Sequence, residues 1–144
     1  MTEGTRPALP RKDEEGRVQY LPDLLGVAAL FAVVNGIGLL LIDGLLAVLG
    51  LATFGRSSGW LVVILPAFLY FEDFRAWKAY RLRWLAAPVA VLVGIVAGMF
   101  GAGLVPVDVP LLTGAVGAFV AVLAYALVWW VGIRLLTAPR TESR

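Results

Sequence analysis

Residues 85–105 read LAAPVAVLVGIVAGMFGAGLV, an apolar run of 21 residues without a charged side chain. An α-helix needs about 20 apolar residues to cross a hydrocarbon core about 30 Å thick. Because lipid offers no hydrogen-bonding partner to the backbone, a helix is the element expected to cross it here. Residues 85–105 are therefore predicted to form a transmembrane helix.

Three further apolar segments are predicted to span the membrane, at 24–49, 58–76 and 110–136. The segment 58–76 is the weakest of them, because its unbroken apolar run lasts only from Trp60 to Phe71. A re-entrant segment is the alternative at this position. The pattern predicts an all-α integral membrane protein, a four-transmembrane-helix bundle over residues 20–137, between a disordered cytoplasmic tail (1–19) and a second cytoplasmic tail (138–144).

The amino-acid composition agrees with this class, since 60% of the 144 residues are apolar and 15% are charged. A soluble domain of this size exposes too much surface to water to hide so large an apolar fraction. The chain has no cysteine and no histidine, which excludes disulfides, thiolate nucleophiles and histidine-based metal sites. No cofactor is expected, and the small positive excess beside the membrane does not support nucleic-acid binding.

The lysine and arginine residues indicate the orientation of the chain. Eleven of the twelve fall in the N-terminal tail, in the connection after the second segment, or at the C-terminal end, and only Arg56 falls in another loop. Four crossings put those three regions on one side, and the positive-inside rule makes that side the cytoplasm. We expect a multi-pass protein of the plasma membrane with both termini cytoplasmic. Arginine outnumbers lysine ten to two, which favours a prokaryotic source.

Three of the predicted spans carry rows of small residues, which mark helix contacts in lipid because they let two backbones approach closely. These helix-packing positions are Ala86, Ala90, Gly94, Gly98 and Ala102 on the third span, Gly114, Gly117, Ala121 and Ala124 on the fourth, and Ala28, Ala32 and Gly36 on the first. Either the rows pack against each other within one bundle, or one of them joins subunits of a homo-oligomer or a larger membrane-protein partner. A weak similarity between residues 36–43 and 101–108 is compatible with two tandem helical hairpins.

Few polar side chains lie within or beside the spans, and an ionisable group is costly in lipid. Asp43, Asp108 and Asn35 are candidates for a cation or proton site toward the outer side of the membrane. The alternatives are structural: Asp43 closes a helix end, Asp108 caps the fourth span, and Asn35 donates a hydrogen bond to another helix.

A charged and aromatic segment follows the second span. Its candidate residues are Glu72, Asp73, Arg75, Lys78, Arg81 and Arg83. On a continuing helix Glu72 and Arg75 are neighbours and can pair, and the pattern is typical of an amphipathic helix on anionic lipid. The alternatives are a docking surface for a soluble partner, a lipid-phosphate site, or a two-carboxylate metal site.

Three functions fit these observations. The favoured one is a non-catalytic anchoring, scaffolding or accessory subunit of a membrane assembly, because packing surfaces are plentiful while side chains that carry chemistry are scarce. The second is a small homo-oligomeric channel or carrier for a cation or proton. The third is an enzyme that acts on lipid headgroups.

Overall fold

The computed structural model describes residues 9–137, and this part of the chain contains helices and no β-strand. The helices are α1 (Leu21–Val48), α2 (Ile64–Ala76), α3 (Arg83–Gly103) and α4 (Pro110–Thr137), and a 3-10 segment (Gly59–Val63) leads into α2. The prediction of an all-α chain is confirmed for these residues. Three of the helices, α1, α3 and α4, are long and apolar enough to cross a membrane.

The second apolar segment forms a shorter helix than the others. Gly59 begins its 3-10 segment in close contact with α4, where an added Cβ would overlap the Leu111 carbonyl oxygen. Pro66, which has no N–H to donate, lies in the first turn of α2. At about 2.0 and 1.5 Å per residue, the 3-10 segment and α2 together rise about 30 Å. That length is close to the thickness of a hydrocarbon core.

Small residues line the contact between α3 and α4, the most extensive helix contact in the structure. A Cβ added to Gly98 would lie 2.7 Å from the Gly117 carbonyl oxygen and 2.8 Å from the Ala121 Cβ. One added to Gly94 would lie 3.0 Å from the Ala121 carbonyl oxygen. These backbones approach to distances that larger side chains do not permit, so the two rows of small residues meet within one chain.

The other small residues of these rows are also covered by the same chain. Ala86 and Ala90 of α3 are buried. The Ala102 Cβ would lie 3.0 Å from a Cβ added to Gly117, and Gly114 packs against the start of the 3-10 segment. A subunit contact through the small-residue row of α3 would have to displace α4.

Successive helices run in opposite directions. Side chains that are far apart in the sequence therefore meet at each of the two ends of the group of helices. At one of them, called here the Asp43 end, the Leu111 N–H of α4 donates to the Gly55 carbonyl oxygen at 3.1 Å. At the other, the Asp73 end, the Trp129 indole of α4 donates to Asp73 of α2 at 2.7 Å. Each end therefore carries one buried carboxylate.

The core is concentrated toward the Asp73 end, where the fully buried side chains include Trp129, Leu24 and Ile133. Much of the remaining apolar surface faces outward, and on α1 the side chains of Leu30 and Leu41 are 57% and 70% exposed. An exposed apolar surface of this extent is unusual for a protein in water. It suits helices surrounded by lipid.

Residues 9–19 lie against the helices, which differs from the disorder expected for residues 1–19. Lys12 and Val18 form an antiparallel bridge, and Val18 is 2% exposed. The composition of this segment is polar and predicts disorder, but one apolar side chain and several charged partners on the helices hold it in place. Residues 1–8 and the predicted C-terminal tail (138–144) lie outside the described residues.

Candidate functional site

Asp43 is a buried carboxylate that fastens the loop between α1 and the 3-10 segment. It accepts hydrogen bonds from the Gly55 N–H at 2.5 Å, from the Ser57 N–H at 3.3 Å, and from the Ser57 hydroxyl. Gly55 has φ +83°, a backbone conformation that favours glycine, and this turn brings its N–H to the carboxylate. Both carboxylate oxygens accept hydrogen bonds from the loop, so Asp43 holds the loop against α1.

Asn35 and Asp108, the other two candidates for an ion site, lie away from this carboxylate's contacts. The Asn35 side-chain amide donates to the Leu61 carbonyl oxygen at 2.8 Å and so joins α1 to the 3-10 segment. Asp108 is exposed and precedes the first residue of α4, Pro110, by two positions, so it is not the N-cap of that helix. Asp43 and Asp108 thus lie in different environments despite the similarity of the segments that contain them.

Glu72 and Asp73, which the sequence offers as a carboxylate pair, point in different directions. Asp73 is 4% exposed and accepts hydrogen bonds from the Val18 N–H at 3.0 Å and the Trp129 indole at 2.7 Å. Glu72 is on the surface, with Lys12 at 3.3 Å. Adjacent residues on a helix do not face the same side. Within residues 9–137 no group of three or more acidic side chains is arranged to hold a metal ion.

Residues 11–19 form a strap across the Asp73 end, and ion pairs and hydrogen bonds fasten it at both of its ends. The Arg11 guanidinium binds both carboxylate oxygens of Asp23, at 2.8 and 2.9 Å. The Arg134 guanidinium of α4 donates to the Gln19 carbonyl oxygen at 2.8 Å. Between these points the Val18 N–H reaches Asp73. The strap therefore covers the buried carboxylate of α2.

The turn of the strap is stabilised by a pair of charged side chains. The Arg17 guanidinium donates to Asp13 at 2.7 Å and lies over the Trp77 ring, 5.0 Å from its centroid. The hydrogen bond to the carboxylate raises the pKa of Arg17 above its ordinary value. Partial burial acts to raise the pKa of Asp13, but hydrogen bonds from Arg17 outweigh it and the pKa lies below its usual value.

The basic segment after α2 forms a tight turn, and the prediction that it continues as an interfacial helix is wrong. α2 ends at Ala76 and α3 begins at Arg83. The Arg83 guanidinium donates to the Phe74 carbonyl oxygen at 2.9 Å. Carbonyl groups in the last turn of a helix lack a partner within it, and a cation there is favourable. This contact joins the first residue of α3 to the last turn of α2.

The exposed cations here are Arg75 in the last turn of α2, and Lys78 and Arg81 in the turn that follows it. Arg75 lies 5.8 Å from the centroid of the Phe71 ring. The predicted pairing of Arg75 with Glu72 is replaced by the pairing of Glu72 with Lys12 of the strap.

An apolar groove of about 400 Å³ runs between α2, α3 and α4. It is lined by Val63, Ala67, Tyr70, Phe71, Phe74, Ala87, Val91, Gly94, Ile95, Ala121, Val122 and Tyr125. The Tyr70 hydroxyl donates to the Val122 carbonyl oxygen at 2.7 Å. This hydroxyl therefore points to the backbone of α4. The groove is open on one side and offers a surface of hydrocarbon character.

Sequence reasoning missed the strap and the partners of Asp73. One signal was available: a buried indole N–H usually has an acceptor, and both Trp129 and Asp73 lie near the inner ends of their predicted segments. No protein-family model matches the chain, and neither the curated proteins nor the solved structures provide a match to it.

Proposed function

We propose that this chain is a four-span protein of the plasma membrane that serves as a non-catalytic anchoring or accessory subunit of a membrane assembly. The observation that carries the proposal is the uncovered surface of α1. In its most apolar 18-residue window 11% of the residues are buried, against 28% in α3 and 33% in α4. Of the three long helices, α1 therefore has the most apolar surface left for lipid or another subunit.

The surface of α1 also has room for a second helix to approach closely. No other part of the described chain lies within 4 Å of the position that a Cβ on Gly38 would occupy. The nearby side chains of Val34 and Leu41 are 51% and 70% exposed. A small residue beside exposed apolar side chains favours helix association in lipid. We therefore assign the partner contact to α1 and not to the small-residue row of α3, which α4 covers.

The polar side chains support a role without catalysis. Asp43 and Asp73 accept hydrogen bonds from backbone and side-chain groups of the same chain, and Asn35 donates one. These contacts fasten helices and loops to one another. They favour neither the channel nor the headgroup enzyme.

The proposed topology has the Asp73 end in the cytoplasm. The 3-10 segment and α2 are together long enough to reach from one side of the hydrocarbon core to the other. The cations Arg75, Lys78 and Arg134 lie at the Asp73 end, whereas Arg56 lies in the loop at the Asp43 end. The positive-inside rule therefore assigns the Asp73 end, with both termini, to the cytoplasm.

The proposed subunit role is tested by the mass of the tagged full-length chain, purified in mild detergent from the cells that make it. We expect a complex larger than the monomer, and we expect Gly38→Leu to dissociate it because the new side chain occupies the contact surface. Gly103→Leu is the matched control, since Gly103 also has open space beside it. A lone monomer, or equal loss of the complex in both variants, would rule out an interface on α1.

A further inference from the structure

The apolar groove reaches the last turn of α2 at Phe74, next to the basic turn that joins α2 to α3. Phe71 and Phe74 of α2 and Ala87 of α3 line the groove toward the Asp73 end. The groove extends along α3 from Ala87 to Ile95, which is about 12 Å at 1.5 Å per residue. It is therefore an elongated apolar groove that is open on one side and has its end near the cations that follow Phe74.

Each of the two helices that wall this end of the groove carries an arginine one turn away from a residue that lines it. On α2, Arg75 directly follows Phe74 and lies four residues after Phe71, and its guanidinium carbon lies 5.8 Å from the Phe71 ring centroid. On α3, Arg83 precedes Ala87 by four residues, and its guanidinium carbon lies 4.5 Å from the Phe74 ring centroid. Residues four apart share a helix face. Both arginines thus stand at the mouth of the groove.

These arginines have no carboxylate partner in the described part of the chain. The ion pairs between residues 9 and 137 use Arg11, Lys12 and Arg17 as cations. Glu72, the acidic side chain nearest to Arg75 in sequence, is paired with Lys12. Within the described residues Arg83 makes a single hydrogen bond, to the Phe74 carbonyl oxygen. Arg75 is exposed and Arg83 is half-buried, so the mouth of the groove carries two cations that no carboxylate of the described residues neutralises.

We propose that the groove binds an anionic glycerophospholipid, with an acyl chain along α3 and the phosphate at Arg75 and Arg83. Basic pockets between transmembrane helices on the cytoplasmic side are suited to anionic headgroups, and the guanidinium group matches the geometry of phosphate. The inference rests on the proposed membrane-spanning arrangement, which places the mouth at the level of the inner headgroups. It does not depend on the partner contact assigned to α1.

The test is native mass spectrometry of the purified full-length chain, delipidated and then offered equal amounts of phosphatidylglycerol and phosphatidylcholine with identical acyl chains. We expect preferential retention of one phosphatidylglycerol. A cation near an anionic headgroup contributes about fivefold in affinity, so Arg75→Gln with Arg83→Gln should weaken that retention roughly 25-fold. The matched control, Lys78→Gln with Arg81→Gln, removes the same charge from the same turn and should change retention little.

A second pair of variants tests the acyl-chain position without altering charge. Ala67→Trp fills the groove from α2, and Leu92→Trp adds the same side chain to α3 at an exposed position outside the groove. We expect Ala67→Trp alone to lower the retention of both lipids. Equal retention of the two lipids by the unmodified chain, or equal losses in the two double-glutamine variants, would overturn the proposal. If Gly38→Leu dissociates the partner complex and leaves lipid retention unchanged, the lipid site is independent of the partner contact on α1.

Discussion

Gly98→Ala is the substitution whose effect the structure defines most closely. The added methyl group would lie 2.7 Å from the Gly117 carbonyl oxygen, 2.8 Å from the Ala121 Cβ and 2.9 Å from the Trp60 ring carbon Cη2. Favourable contact between carbon atoms begins at about 3.5 Å. The two helices must therefore move apart by several tenths of an ångström over this contact.

The expected magnitude follows from two opposing effects. Inserting one methyl group into a closely packed contact costs about 1–3 kcal/mol. Replacing glycine by alanine within a helix contributes up to about 1 kcal/mol in the other direction. Gly26→Ala is the matched control, because Gly26 lies within α1 and has open space beside it. The free energy of unfolding of Gly98→Ala should therefore lie about 1–3 kcal/mol below that of Gly26→Ala.

The assay is equilibrium unfolding in mixed micelles of dodecyl maltoside and sodium dodecyl sulfate, followed by far-ultraviolet circular dichroism. Because Gly98 contacts α4 of its own chain, the midpoint should not change over a tenfold range of protein concentration. Equal stability of Gly98→Ala and Gly26→Ala would refute the steric argument. A midpoint that depends on protein concentration only while Gly98 is present would assign this contact to a pair of subunits.

Three further substitutions test the polar contacts at the two ends. Asp73→Ala leaves two buried N–H groups without an acceptor and should lower the free energy of unfolding by about 2–4 kcal/mol. Glu72→Ala, on the surface, should change it by less than about 0.5 kcal/mol in the same unfolding assay. Equal effects of the two substitutions would contradict the burial of Asp73. Val18→Asp should release the strap, so that trypsin cleaves within residues 11–19 faster than in the unmodified chain, and an unchanged cleavage rate would count against the observed position of the strap. Asp43→Ala should free the loop that follows α1, so that a cysteine at Thr53 reacts several-fold faster with maleimide; an unchanged rate would mean that the carboxylate does not hold the loop.

The long helices could be predicted from the sequence because each of them is formed by an extended apolar run of residues. The spans expected at 24–49, 85–105 and 110–136 correspond to helices at 21–48, 83–103 and 110–137. Their boundaries follow from local composition and differ from the structure by three residues or fewer. The rows of small residues also pointed to the helix faces that lie in close contact.

The features that sequence reasoning missed depend on contacts between distant residues. Val18 is buried because Asp73 and Trp129 lie below it, and those residues are more than 50 positions away. The 3-10 start of the second segment likewise depends on the approach of α4 to Gly59. The separation of Glu72 from Asp73 was accessible in principle, since adjacent positions on a helix face different directions.

The four-crossing arrangement depends on whether residues 59–76 pass from one side of the membrane to the other, and single-cysteine labelling in whole cells can decide this. The chain contains no cysteine, so Thr53→Cys and Lys78→Cys each introduce one reactive thiol, at exposed positions before and after the segment. We predict that a membrane-impermeant maleimide labels Thr53→Cys in intact cells and Lys78→Cys only after permeabilisation. Labelling of both variants in intact cells, or of neither, would place the two residues on one side and contradict the four-span arrangement.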